Sequence, residues 1–213
     1  MDVFLSVGGT ANELQESFVQ AVEARLRSEG LTPKTVGRSH FSSDAPLKAV
    51  NDLLDKCAGT IVIALERIYI QQGLERRSGP SEKPLSGVSL TTPWNQIEAA
   101  LSYSRARPLL VIVANEIRPE GLLEAGYDWY VQRLDPKPES LNTVEFNGIL
   151  ADWKRKLNEA QHNAIITKPR LATMSIGDII SQFKPSELAK IIGSIVAFTT
   201  AIFALGAWAV TLT

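Results

Sequence analysis

Two stretches of the chain consist almost entirely of apolar residues and are the right length for strands. They are "TIVIALE" at residues 60–66 and "LLVIVA" at residues 109–114. A strand with one face in water alternates apolar and polar side chains, so unbroken apolar runs must be covered on both faces. Each run follows a segment with helical periodicity, at residues 46–59 and 92–105. Since parallel strands need such crossover helices, the pattern predicts an α/β fold with a parallel sheet flanked by helices.

The same order of strand and helix begins at the amino terminus. "DVFLSV" is a short apolar run, and a helix is predicted over residues 10–30, where Thr10 and Glu13 have the spacing of a capping box. Its predicted buried face comprises Leu14, Phe18, Val22 and Leu26. The remaining predicted elements are a weak strand at residues 31–38 and a helix from about Val144.

A glutamate lies within the helix predicted over residues 92–105. Thr92 is a suitable N-cap, and the proline after it suits the first helical position. With Trp94 at zero on a helical wheel, Ile97 falls at about −60° and Leu101 at about −20°. Glu98 falls at about +40° and so borders the predicted buried face. It is either an ordinary solvated or capping carboxylate or a functional group.

Ligands of parallel α/β sheets bind beyond the carboxyl ends of the strands, where the helices begin. Four segments of this chain are predicted to converge there: residues 8–10, 38–44, 66–69 and 94–98. The Gly8-Gly9 pair serves either a tight turn or a phosphate cradle. The predicted ligand-binding residues are Ser6, Gly8, Gly9, Arg38, Phe41, Tyr69 and Trp94.

Composition excludes several classes of function. With 213 residues, 45% of them apolar, the chain can bury one core of ordinary size, and its net charge of −1 gives no electrostatic basis for nucleic-acid binding. The single cysteine, Cys57, lies on an apolar stripe and is predicted to be a buried, inert thiol. His40 and His162 lack metal-ligand spacing, so we expect no metal site. The segment at residues 67–92 is rich in Gly, Pro and Ser and is predicted to form a mobile lid.

The carboxyl-terminal residues predict a membrane anchor. Residues 191–213 contain no charged residue, and as a helix they would span roughly 34 Å, enough for a hydrocarbon core of about 30 Å. Lys184 and Lys190 precede the segment, which favours a cytoplasmic location for the rest of a tail-anchored protein at the cell membrane. The first residues show neither a basic n-region nor an apolar h-region, so we expect no secretory signal. Small residues at Gly193, Ala197 and Ala201 share one helical face and favour a homo-oligomer. The predicted organisation is a nucleotide-binding domain at residues 1–160, a linker with a short amphipathic helix at 161–185 and a transmembrane helix at 186–213.

Three motifs resemble those of Toll/interleukin-receptor homology (TIR) domains. "DVFLS" resembles their first strand, "TIVIALERIY" resembles the strand before their catalytic helix, and "WNQIE" matches the tryptophan and glutamate that open that helix. The resemblance covers roughly residues 2–115 and implies a flavodoxin-like sheet. It also implies that Glu98 is the catalytic residue of NAD cleavage and that residues 37–46 form the loop that shields the site and mediates assembly.

Two departures from the family pattern affect the choice of substrate. This chain has an insertion between Tyr69 and Trp94, and "IEAALSYSRARPLLVIV" also resembles the glutamate helix of nucleoside deoxyribosyltransferase-like proteins. Two functions remain open. Glu98 favours a membrane-anchored, TIR-like hydrolase of NAD or a related nucleotide, as an effector of a prokaryotic immune system. The insertion and the terminal helix favour a nucleotide sensor without turnover whose helices assemble to disturb the membrane. In both cases the nucleotide is a substrate or ligand, and no separate cofactor is expected.

Overall fold

The computed structural model describes residues 1–167 of the chain, with the side chains of residues 1–162. The strands in chain order are β1 (Asp2–Val7), β2 (Thr32–Lys34), β3 (Thr60–Ala64), β4 (Ile68–Glu75), β5 (Lys83–Leu90), β6 (Leu109–Ala114) and β7 (Tyr130–Leu134). The α-helices are α1 (Glu13–Ser28), α2 (Pro46–Leu54), α3 (Pro93–Ser104) and α4 (Val144–Thr167), and two short 3-10 helices lie at Gly121–Leu123 and Pro138–Asn142. The predicted transmembrane segment and most of the predicted linker lie outside the described residues.

Five strands form one sheet in the order β2-β1-β3-β6-β7, and every neighbouring pair is parallel. With β4 and β5 set aside, this is the flavodoxin-like order 2-1-3-4-5. The prediction of a parallel α/β sheet flanked by helices is therefore confirmed. The strand order reverses between β1 and β3, and in folds of this kind the crevice at that reversal is where ligands bind.

The segment predicted as a lid forms an antiparallel hairpin of β4 and β5. Its base is attached to the loop after β6. Ser89 forms a bridge to Ile117, and its carbonyl accepts a hydrogen bond of 2.9 Å from the Arg118 backbone N–H. The Arg118 guanidinium also pairs with Glu75 of β4 at 3.0 Å. Residues with low strand propensity form strands here because the two strands of the hairpin satisfy each other's backbone hydrogen-bonding groups.

Helices cover the sheet on both faces. Along β1, Val3 and Leu5 join the core cluster that contains α1 and α4, whereas Phe4 joins the cluster that contains α2. Cys57 is buried in that second cluster, and desolvation raises the pKa of its thiol to about 11. The thiol therefore stays protonated at neutral pH and is unreactive.

The amino terminus of α1 differs from its prediction. The N-cap is Asn12, whose side chain accepts a hydrogen bond of 2.9 Å from the Gln15 backbone N–H, and not Thr10. The helix therefore begins later than predicted, and Leu14 is 77% exposed. The Thr10 hydroxyl instead donates to Glu16 at 2.8 Å.

Helix α4 continues to Thr167 and so passes the predicted domain boundary at residue 160. Among residues 1–167, no helix combines the length and the apolar character needed to cross a bilayer.

Candidate functional site

Helix α3 begins as predicted but packs through a different face. Thr92 is its N-cap, with the hydroxyl accepting from the Trp94 backbone N–H at 3.4 Å. The predicted face is half exposed, since Trp94 and Ile97 each keep 39% of their surface in solvent. The buried residues of the helix are Asn95, Glu98, Ala99 and Ser102. Small and polar residues let the helix approach the sheet closely, as the 2.8 Å hydrogen bond from Ser102 Oγ to Thr60 Oγ1 shows.

Glu98 therefore lies within the buried face of α3 and not at its border. Only 8% of the residue is exposed, and desolvation raises the pKa of its carboxyl from 4.5 to about 7. Interaction with the hydroxyl of Ser6, on β1, offsets part of that increase. No lysine or arginine pairs with Glu98 among the described side chains. At neutral pH the group is thus divided between its acid and its carboxylate form.

Asn95, one turn before Glu98, joins three elements and is 1% exposed. Its amide nitrogen donates to Ser6 Oγ at 3.0 Å and, with longer contacts of 3.4 Å, to the carbonyls of Ser6 and Ile63. Its amide oxygen accepts from Thr91 Oγ1 at 2.6 Å. Asn95 therefore holds the start of α3 against the carboxyl ends of β1 and β3. Because Ser6 Oγ accepts this bond, its own hydrogen is free to be donated elsewhere.

The two glycines after β1 lie against the start of α3. A Cβ on Gly8 would be 2.9 Å from Thr92 Cγ2, so the glycine is needed for close approach to the N-cap. Gly9 lies beside the Arg67 guanidinium, which would be 3.8 Å from a Cβ there. These two glycines and Asn95 border a hollow of about 10 Å³, which is room for a single water molecule.

The far side of the hollow is formed by residues just after β3. The Glu66 carbonyl accepts from Gln15 Nε2 of α1 at 3.0 Å, and the Glu66 carboxylate accepts from the Ser89 hydroxyl of the hairpin. Neither Glu66 nor Asn95 was singled out from the sequence. The available signal for Asn95 was an amide three residues before Glu98, on the same side of the predicted helix.

The remaining predicted ligand-binding residues take separate positions. Arg38 donates to both carboxylate oxygens of Glu16, at 2.7 and 3.0 Å, and this pairing with Arg38 lowers the pKa of Glu16 to about 2. Phe41 is 77% exposed in the loop before α2, and Tyr69 is 60% exposed on β4. Within the described part of the chain, no hydrogen bond or ion pair joins Arg38, Phe41 or Tyr69 to Glu98. The structure thus places Ser6 and Gly8, at the carboxyl end of β1, beside the first half of α3, which carries Glu98.

The donor set of this region is poor in metal ligands. Among the side chains of residues 1–162, no three His, Cys, Asp or Glu residues cluster in a way that would hold a metal ion. The chemistry available is that of one buried carboxyl group, a serine hydroxyl, an asparagine amide and backbone groups. Such a carboxyl can stabilise a developing positive charge or transfer a proton near neutral pH.

Two solved structures are similar to this chain at low levels. The CMP N-glycosidase BcmB of Clostridium botulinum is similar over 69% of this chain and 99% of its own, with 13% identity and a TM-score of 0.41. The TIR domains of the activated Roq1 resistosome, which directly recognizes the pathogen effector XopQ, are similar over 91% of this chain and 98% of theirs, with 12% identity and a TM-score of 0.36. No family model and no curated protein matches the sequence. Similarities at this level assign no activity to the chain.

Proposed function

We propose that this chain hydrolyses the N-glycosidic bond of NAD or a related nucleotide, with Glu98 as the catalytic carboxylate. The observation that carries the proposal is the burial of Glu98 without a cationic partner among the side chains of residues 1–162. Structural carboxylates are usually solvated or paired, because burying an unpaired charge costs stability. A buried carboxyl with a pKa of about 7, near the ligand-binding edge of a flavodoxin-like sheet, is typical of a functional group.

The proposed reaction uses the charge of Glu98 and not its nucleophilicity. Breaking the bond between ribose C1′ and the base nitrogen moves the bonding electrons to the base and leaves positive charge on the sugar ring. A carboxylate in a largely dry position stabilises that charge more strongly than water does. Nicotinamide is cationic in NAD and leaves neutral, so it needs no proton from the protein. Water then adds to C1′ and releases a proton.

The site must open before a nucleotide can bind. The hollow beside Gly8, Gly9 and Asn95 takes only about 10 Å³, whereas small-molecule sites typically have several hundred. The proposal therefore includes movement of the segments around it, namely the turn after β1 and the base of the hairpin. Association of several copies in a membrane, through the predicted helix at residues 186–213, is the proposed means of opening, and an immune effector role is the proposed context.

The closed hollow also favours the second candidate, a nucleotide sensor without turnover. In that case a nucleotide signal would open the site and assemble the membrane helices, and Glu98 would contact the ligand without cleaving it. The two candidates differ in whether the ligand survives contact with the protein.

The test is to incubate the purified full chain, in detergent and in vesicles, with NAD and NADP. Released base is measured by chromatography, and bound nucleotide is measured by equilibrium dialysis. The proposal expects release of nicotinamide with multiple turnovers. Binding of an intact nucleotide without release would favour the sensor. If the chain in vesicles neither bound a nucleotide nor released its base, both candidate functions would be contradicted. The variant Glu139→Gln, at an exposed carboxylate after β7, serves as the control for loss of a single charge.

A further inference from the structure

A second cavity, of about 800 Å³, lies at the amino-terminal ends of β6 and β7, whereas the proposed active site lies at the carboxyl ends of β1 and β3. It is bordered by the carboxyl end of α3, the first residues of β6 and β7, and one side of α4. Its wall is mainly apolar and aromatic, and includes Tyr103, Pro108, Leu109, Trp129, Tyr130 and Ile149. The size is that of sites that bind a small organic molecule.

The aromatic part of the wall is held in place by its own packing. The Trp129 ring is stacked on Tyr127, with centroids 4.7 Å apart and an interplanar angle of 11°, and meets Tyr103 edge-on at 5.1 Å. The Trp129 indole N–H donates to the Leu122 carbonyl at 3.0 Å. Because its N–H is satisfied, Trp129 offers an apolar surface to a ligand and no polar group.

Two residues that line the cavity carry hydrogen-bond donors that have no acceptor in the described part of the chain. Trp153 is 3% exposed, and its indole N–H is itself fully buried and has no partner among the described residues. Arg107, in the turn between α3 and β6, is half-buried and forms no ion pair with any described residue. A buried N–H without an acceptor is costly, and a guanidinium prefers a carboxylate with two oxygens. Both groups therefore have unused capacity to donate.

Each of the two carboxylates on the same wall already accepts at least one hydrogen bond. The Asp152 carboxylate accepts from Arg155 at 2.6 Å and from Lys156 at 3.0 Å. The Asp128 carboxylate accepts from the Tyr103 hydroxyl at 3.2 Å. The cavity therefore suits a ligand that carries a hydrogen-bond acceptor for these donors. The rest of that ligand should be apolar, to match the apolar wall.

We propose that this cavity binds a small carboxylate with an aromatic or aliphatic body. The carboxylate would accept from the Arg107 guanidinium and, after a small movement of the cavity wall, from the buried Trp153 indole N–H. The body would lie against Trp129 and Tyr130. Since the site is separate from Glu98 but shares α3 with it, an occupant would contact the helix that carries the proposed catalytic residue.

Gly148 provides a way to close the cavity without damaging the fold. It lies on the side of α4 that faces the cavity, and a Cβ there would meet no atom within 4 Å. Leucine at this position would fill the space, and replacing a helical glycine favours the helix. Ala151 is exposed on another side of the same helix, so Ala151→Leu is a matched control for the added side chain.

The experiment titrates the full chain with three probes of the same shape: naphthoate, naphthamide and naphthylmethylammonium. Binding is measured by calorimetry and by the NMR shift of the Trp153 indole N–H. We expect naphthoate to bind at least about tenfold more tightly than naphthamide, since a hydrogen bond to a charged group contributes that much. The cationic probe should bind more weakly than both.

The variants assign the contacts. Gly148→Leu should abolish naphthoate binding with thermal stability unchanged or raised, and Ala151→Leu should leave binding unchanged. Arg107→Gln and Trp153→Phe should each weaken binding by about tenfold. The inference is overturned if no probe binds at millimolar concentration. In that case an ordinary water molecule would be the acceptor for the Trp153 indole N–H. It is also overturned if the cationic probe binds best or if Gly148→Leu leaves naphthoate binding intact.

Discussion

At the scale of single residues, the burial of Glu98 makes the protein less stable than it could be. The folded protein holds a proton on Glu98 at pH values where the unfolded chain has lost it, since burial raises its pKa from 4.5 to about 7. The free energy of unfolding therefore falls as the pH rises between these two values. At 1.36 kcal/mol per pKa unit, the full loss above the upper value is about 3 kcal/mol.

The first prediction follows from that loss. Glu98→Gln keeps the shape of the side chain but cannot ionise, so the variant should be more stable than the wild type by up to about 3 kcal/mol at alkaline pH. Below the pKa of the unfolded glutamate the two proteins should be equally stable, apart from the small effect of the amide. Urea unfolding at both pH values measures this, with Glu139→Gln as the surface control. Equal stabilities at alkaline pH would show that Glu98 is not held in an unfavourable position.

A second prediction concerns the residue that holds Glu98 in place. Asn95→Asp removes the amide donors to Ser6 and Ile63 and adds a carboxylate one turn from Glu98, where residues at this spacing are neighbours. Repulsion between like charges should raise the pKa of Glu98 further. An NMR titration of the labelled Glu98 carboxyl measures the change. An unaltered pKa in a folded variant would mean that Asn95 lies outside the electrostatic environment of Glu98.

Sequence reasoning identified Glu98 and Ser6, but not how deeply Glu98 is buried or what Asn95 contacts. The wheel placed the apolar residues Ile97 and Leu101 toward the core, as amphipathicity normally requires. In the structure the helix packs through small and polar residues because the part of the sheet that it contacts carries Ser6, Thr60 and the buried carbonyl of Ile63, which form hydrogen bonds with it. Helical periodicity carries no information about that partner, so neither the burial of Glu98 nor the contacts of Asn95 could be predicted.

At the scale of elements, the contact between the turn after β1 and the start of α3 sets the geometry of the site. A third prediction tests it. Gly8→Ala should destabilise the protein by about 1–3 kcal/mol, because the new Cβ would lie 2.9 Å from Thr92 Cγ2. Thr92→Ser removes that methyl and keeps the capping hydroxyl, so the double variant should recover most of the loss. Urea unfolding of the two single variants and the double variant gives the coupling, and an undiminished loss in the double variant would refute the steric account.

The elements that could be predicted are those whose own residues indicate their structure, through an apolar run or a helix cap. Strands β3 and β6 are apolar throughout, and α3 has a cap and a proline at its start. The hairpin of β4 and β5 was missed because its residues are mostly exposed and it is stabilised by pairing between its strands. Strand β7 was missed for a similar reason, since "YVQRL" becomes a strand by pairing with the edge of β6.

At the scale of the whole molecule, the sheet order indicates where a ligand would bind, and the predicted anchor separately indicates where the protein would be located. The order β2-β1-β3-β6-β7 places the reversal between β1 and β3, beside Ser6 and the start of α3. That relation could be inferred from the alternation of strands and helices once the fold class was known. The anchor depends on residues 186–213 alone, for which the evidence is the absence of charge in the last part of the sequence.

A fourth prediction addresses the anchor. Removing residues 186–213 should release the protein from the membrane, since no other stretch of the sequence approaches the roughly 20 apolar residues that span a bilayer. Fractionation of cells that express the full and the shortened chain, followed by a salt wash of the membranes, measures the distribution. Recovery of the shortened chain in the washed membrane fraction would place the anchor elsewhere.

The most direct test of the account is the pH dependence of base release by the wild type and by Glu98→Gln, measured with the same nucleotide from about pH 5 to about pH 9. If the ionised Glu98 stabilises the transition state, the wild-type rate should rise with pH with a midpoint of about 7, the pKa of its carboxyl. Glu98→Gln should be about a hundredfold to a thousandfold slower on the plateau and show no such rise. A Glu98→Gln variant that releases base at the wild-type rate, with the same pH profile, would contradict the account.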